Sequence, residues 1–260
     1  MMAEQRPSAT QSPTTHASFV NERNRHLQPP AAGYRLVIFD WDGTLLDSVG
    51  SIVECTRVTL AELEVAEVPE STIRGVLGLG LRETVETLCP GCDEALFQRV
   101  LETYRKHWFG GYSTRPVLFD GVVETLDELR SRGYLLAVAT AKGRLGLDAD
   151  LGATGLAGHF AATRTVTESP SKPHPGMVED ILGELGVASE EALVVGDATH
   201  DLRMAANAGV AAVAVCSGAH PRAELLVLEP AGCLAGVVDL PGWLGPRLAS
   251  RLEARPRRVS

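Results

Sequence analysis

The stretch VIFDWDGTLLDS, residues 37–48, runs from an apolar segment into one aspartate, Asp40, and places a second, Asp42, two positions later. The apolar part, residues 35–40 (RLVIFD), is partly β-branched and too short for a helix, so it reads as a buried strand. Residues i and i+2 of a strand share a face. If strand geometry persists to Asp42, both carboxylates point one way and Trp41 points elsewhere. Two carboxylates this close repel, and one pKa must rise unless a cation lies between them. A hard dication that prefers oxygen ligands, such as Mg²⁺, resolves the repulsion. Gly43 allows a sharp turn and Thr44 offers a hydroxyl. Taken alone, the same residues also read as a strand end, a turn and a helix cap.

Working outward, four further short apolar runs follow: residues 135–140 (LLAVAT), 160–165 (FAATRT), 192–197 (ALVVGD) and 211–215 (AAVAV). Helical periodicity fills residues 122–132, 144–155, 175–185 and 201–209. Alternating strand and helix predicts an α/β fold, a Rossmann-like parallel sheet flanked by helices. One segment breaks the alternation. About seventy residues before Pro116 carry helical patterns and no convincing strand, too long for a crossover and too patterned for a loop. They read as an inserted α-helical cap over residues 50–113, with the core at 34–49 and 114–246. The hinges fall near residues 48–51 and 110–115, where Gly110-Gly111 suits a hinge. The glycine-rich stretch 75–84 (GVLGLGLRET) is the cap loop best placed to face a ligand. Residues 1–33, poor in large apolar groups, read as a mobile extension, and the basic residues 247–260 as a frayed tail.

The chain has 260 residues, 45% of them apolar, and a net charge of −9. That is enough for one sizeable core, or a core plus a smaller lobe. An acidic chain is a poor non-specific nucleic-acid binder, while a small phosphorylated substrate needs only two or three local cations. No apolar run approaches the roughly 18 residues that cross a bilayer. The five cysteines are scattered and no secretory leader precedes them, so they read as reduced thiols in a cytoplasm. Cys89-Pro-Gly-Cys92 has CxxC spacing without a second pair, and reads as a loop between helices.

Three further features add polar groups. Thr140 ends a strand in VATAK. Lys172 stands before Pro173 and Pro175 in SKPHPGM, where Pro175 can open a helix and the prolines restrict the lysine; an isolated case would be a solvated turn. Asp197 ends a strand beside Gly196, with no evident capping duty, and Asp201 opens the next helix, where an N-cap is the ordinary reading. His200 reads as an exposed loop residue. In open α/β sheets, ligands bind outside the carboxyl ends of strands, where all of these lie.

The order and spacing of these features resemble the haloacid dehalogenase superfamily, in its phosphoglycolate phosphatase-like branch with a helical cap. Residues 40–44 (DWDGT) are similar to its first motif, Thr140 to the second, Lys172 to the third, and Asp197 with Asp201 to the fourth. The likeness covers about residues 34–244. It implies a Mg²⁺-dependent phosphatase in which Asp40 is the nucleophile and Asp42 protonates the leaving group and then activates water. It implies Mg²⁺ held by Asp40, Asp42 (through its main-chain carbonyl), Asp197 and Asp201. It implies a phosphoryl group bound by Gly43, Thr44, Thr140, Ala141 and Lys172. Ala141 departs from the Asn or Gly common there. An acid at position 42 favours phosphate monoesters, and is also compatible with a sugar phosphomutase. A non-catalytic binding protein is the remaining alternative, which the intact acidic set disfavours. Arg82 could meet a substrate carboxylate, as 2-phosphoglycolate would require, or could be a surface arginine at a helix start. Nothing in the residues separates a monomer from a homodimer.

Overall fold

A computed structural model describes residues 33–112 and 116–245. The readings of an extension, of a tail and of residues 113–115 in the second hinge therefore lie outside the described residues, except that Gly33 is included.

The chain opens on strand β1 (Leu36–Phe39) and then runs through four helices without a strand: α1 (Val49–Glu62), α2 (Glu70–Gly75), α3 (Leu81–Leu88) and α4 (Glu94–His107). The last continues into a π-helical turn, Trp108–Tyr112, which contains Gly110 and Gly111. After this come α5 (Val122–Ser131), β2 (Leu135–Thr140), α6 (Arg144–Thr154), β3 (Ala162–Thr165), α7 (Gly176–Leu185), β4 (Ala192–Gly196), α8 (Thr199–Asn207), β5 (Ala211–Val215), α9 (Arg222–Leu226), β6 (Gly232–Leu234) and α10 (Leu240–Leu244). The strands form one sheet in the order β3-β2-β1-β4-β5-β6, with every pairing parallel.

Parallel strands covered on both faces are apolar without alternation, because each face needs its own core. Val37 and Phe39 of β1 join Leu136, Val138, Leu193 and Val195 under α5 and α6. Leu36 and Ile38 turn to the other face, with Ala137, Ala139, Val194 and the α7 and α8 residues Met177, Ile181 and Met204. The four helices after β1 bury a separate core of Val53, Leu60, Ile73, Val85, Phe97 and Val100. Asp93 caps α4, accepting the Leu96 N–H at 2.8 Å. The chain leaving the sheet runs beside the chain returning to it: the Asp47 N–H donates to the Val117 carbonyl at 2.8 Å and the Phe119 N–H to the Leu45 carbonyl at 3.1 Å. No helix among the described residues is long and apolar enough to cross a membrane.

Three local readings are corrected. Strand β6 has only three residues, too few to show a period. Pro175 stands one residue before α7 rather than inside its first turn. Helix α8 starts at Thr199, so Asp201 lies within its first turn instead of opening it. The five cysteines are free thiols, and Cys89 and Cys92 form the turn between α3 and α4.

Candidate active site

Strand β1 lies in the middle of the sheet, between β2 and β4. The connections run outward in opposite directions from there, and this is where a crevice opens at the carboxyl edge. Asp40 follows β1 and Asp197 follows β4, one on each side of that crevice. Asp201, one turn into α8, completes a cluster: oxygens of the three carboxylates lie within 4.8 Å of one another, and all three residues are buried.

Lys172 is the counter-ion. It is fully buried, and its Nζ lies 2.5 Å from Asp40 Oδ1 and 2.6 Å from Asp201 Oδ1. Burial alone would lower its pKa, but the charges of Asp201 and Asp40 outweigh this and raise it. The lysine therefore stays an ammonium. Three carboxylates against one ammonium leave a buried excess of negative charge. Burial, and then the Asp201 charge, push Asp197 up to about 6. Burial, with Asp201 and Asp197 adding to it against Lys172, raises Asp40 well above the usual carboxylate range. An all-oxygen, net-negative cluster is the donor set that a hard dication takes, so the residues present fit such an ion.

Thr44 and Gly43, expected at the phosphate, pack against Asp197. The Thr44 hydroxyl donates to Asp197 Oδ1 at 2.8 Å, and the Ala219 N–H to Oδ2 at 2.7 Å. Gly43 has φ +90, and a Cβ there would meet Asp197 Oδ2 at 2.5 Å. Gly218, unremarked in the sequence, presses more closely still on the same carboxylate, where a Cβ would clash with Oδ2. Asp201 Oδ2 accepts the Ala198 N–H at 3.0 Å, so it is a helix cap and a member of the cluster at once.

Asp42 keeps its carboxylate outside the cluster. The Ser48 hydroxyl donates to Asp42 Oδ1 at 2.7 Å, and Lys142 Nζ donates to the same oxygen at 2.8 Å. Lys142 also pairs with Asp150 at 2.9 Å, and the Trp41 Nε1–H donates to Asp150 at 2.9 Å. Sequence reading missed Lys142, Asp150 and Ser48. The available signal was a cation two residues past the strand-end Thr140. Thr140 itself is buried and accepts the Lys142 N–H at 3.1 Å, which leaves its own proton free to donate.

Asp40, Asp42, Thr140, Ala141, Lys142 and Asp197 line the floor of a cavity of about 440 Å³, roofed by α1, α3, α4 and residues 76–79. The glycine-rich stretch does face the cavity, through Leu77, Gly78 and Leu79. Arg82 does not line it: this side chain is exposed, lies 2.9 Å from Glu94 and 3.7 Å from Glu86, and stacks over the Phe97 ring at 4.3 Å. His200 is buried, not an exposed loop residue, and its Nε2–H donates to the Gly75 carbonyl at 2.9 Å. That bond ties α8 to the end of α2, and burial lowers the pKa of the ring.

The deep acidic crevice thus lies at the sheet switch point and is roofed by helices. The Haloacid dehalogenase-like hydrolase family model matches residues 37–215. The chain is 36% identical over 200 residues to a Dickeya dadantii protein named "Probable phosphatase IndB", covering 75% of this chain and 86% of that one. It is 30% identical over 218 residues to the phosphoglycolate phosphatase of Mesorhizobium japonicum, covering 82% and 96%. A solved Bacteroides fragilis structure titled "Putative haloacid dehalogenase-like hydrolase" superposes with a TM-score of 0.74 at 25% identity, covering 80% of this chain and 100% of that one. The chain belongs to the haloacid dehalogenase-like hydrolase family, in its phosphoglycolate phosphatase-like branch.

Proposed function

We propose that this phosphatase is Mg²⁺-dependent and hydrolyses a small phosphorylated metabolite through an aspartyl-phosphate on Asp40. The observation that carries the reading is the buried set of Asp40, Asp197 and Asp201 around Lys172. Asp40, Asp197 and Asp201 would hold the ion, with Asp42 contributing through its main-chain carbonyl. Bound there, Mg²⁺ screens the anionic nucleophile from the anionic phosphate.

Asp40 attacks phosphorus and the ester P–O bond breaks. Asp42 gives its proton to the leaving oxygen, then takes one from the water that hydrolyses the intermediate. One residue can serve both steps because it ends the first deprotonated. Ser48 and Lys142 hold its carboxylate at the cavity floor. Lys172, the Thr140 hydroxyl and the Ala141 N–H neutralise and orient the phosphoryl oxygens. The helical roof serves as a cap that excludes water and presents side chains to the leaving group. A phosphomutase would need a proton-transferring side chain from the roof; the residues that α1 and α3 turn to the cavity are aliphatic or threonine, and α4 adds Tyr104 and Arg105.

The test is phosphate release from a panel of phosphorylated metabolites, with Mg²⁺ and with a chelator. Metal-dependent release that Asp40→Asn abolishes is the expected result. Release of an isomer without free phosphate would make the protein a mutase, and no turnover of any compound would count against catalysis altogether.

A further inference from the structure

The roof of the cavity carries almost no charge. Ile52, Leu77, Leu79, Val100, Tyr104 and Trp108 face the space above Asp40. Two threonines of α1 are there as well, but their hydroxyls are committed to their own helix: Thr56 donates to the Ile52 carbonyl at 2.8 Å and Thr59 to the Cys55 carbonyl at 2.7 Å. The Tyr104 and Trp108 rings lie parallel, with centroids 5.9 Å apart and planes 10° apart. Both are partly accessible and line the cavity, so the stacked pair contributes aromatic surface to its wall.

The cations nearby are engaged. Lys172 belongs to Asp40 and Asp201, and Lys142 to Asp42 and Asp150. Arg82 is turned outward to Glu94. Among the described lining residues, Arg105 alone is a cation without an ion pair, and it sits solvent-exposed at the rim. A carboxylate on the leaving group would thus enter an apolar enclosure without a buried partner, which is costly. The volume of about 440 Å³ falls in the range of pockets that enclose drug-sized ligands, more room than a two-carbon acid needs.

We infer that the leaving group is an apolar aromatic alcohol: the cavity takes the phosphate monoester of a ring-bearing alcohol in preference to that of a small hydroxy acid. This inference rests on the phosphatase reading and specifies its substrate class. The reaction is balanced as before. The ester oxygen departs as the neutral alcohol with the proton from Asp42, and water replaces Asp40 on phosphorus to give inorganic phosphate. The ring stays against Tyr104 and Trp108 while the phosphate sits over Asp40, beside Thr140 and Ala141 at the cavity floor.

The test compares kcat/KM for benzyl phosphate, glycerol phosphate and 2-phosphoglycolate, with acetyl phosphate as a minimal substrate. Benzyl phosphate and 2-phosphoglycolate are both esters of primary alcohols, so their intrinsic reactivities are close. The expected result is benzyl phosphate preferred over 2-phosphoglycolate by roughly 10- to 100-fold. Trp108→Ala should raise KM for benzyl phosphate several-fold more than for glycerol phosphate. Thr84→Arg, which puts a cation into the cavity wall, should shift the preference toward 2-phosphoglycolate. Preference of the unaltered enzyme for 2-phosphoglycolate, lost in Arg105→Ala, would overturn the inference and leave the phosphatase reading intact. No phosphate release from any of the four compounds, acetyl phosphate included, would overturn both.

Discussion

Lys172 shows what one buried charge does at this site. Its ammonium is shared between Asp40 and Asp201, with no exposure to solvent. Removing one partner of a buried ion pair leaves an uncompensated charge and costs about 3–5 kcal/mol. Lys172→Ala should therefore lower stability by that order in the metal-free protein, read from the urea midpoint, and should also depress phosphate release strongly. A variant with unchanged stability would mean that the two carboxylates take up protons at little cost. Asp42 poses a separate question, because its carboxylate lies outside the acidic cluster. Asp42→Asn should lose about 10²- to 10⁴-fold in kcat, the usual range for a general acid–base, and should leave Mg²⁺ affinity nearly unchanged in a calorimetric titration. Gly43 combines φ +90 with an imminent contact on Asp197. Gly43→Ala should therefore weaken metal binding as well as stability.

At the scale of elements, β1 decides the most. Its four residues are all buried and alternate between two cores. Ile38→Ala should cost about 2–5 kcal/mol, measured by chemical denaturation, and act on fold rather than chemistry. The bond between His200 and the Gly75 carbonyl tests how the roof is held to the sheet. His200→Ala removes the donor to a partly buried carbonyl, and the loss should be about 0.5–1.5 kcal/mol. The five longer strands and the helices between them were legible because periodicity is a local property. Strand β6 was not, since three residues cannot display a period. The Thr199 start of α8 was hidden because Asp201 makes its capping bond from inside the first turn, where sequence reading places the cap at the acid itself.

For the whole molecule, the buried excess of negative charge links stability to pH and to metal. Burial, reinforced by Asp201, raises Asp197 to about 6, against an unfolded value near 3.9. Between roughly pH 4 and 6 the folded protein then binds more protons at this group than the unfolded chain does. Its contribution to stability is complete below that window and is lost as pH rises through it. Mg²⁺ competes with those protons, so its gain in Tm should be larger at pH 7.5 than at pH 5. Thermal melts with Mg²⁺ and with chelator at both pH values measure this; equal shifts would place the ion elsewhere.

Residue type, order and spacing along the chain determined the parallel α/β class, the helical insertion after the first strand, and the acids and lysine at the strand ends. These follow from short-range periodicity and from the rule that strand ends meet at one edge of a sheet. Only the tertiary structure decided which group each side chain serves. It turned Thr44 toward Asp197 across 153 positions of sequence and Lys142 toward Asp42 across 100. It buried His200 under Gly75 and left Arg82 on the outside. It also assembled, from four separate segments, an apolar roof over a charged floor. Such pairings depend on how distant elements pack, and local residue patterns carry no record of that.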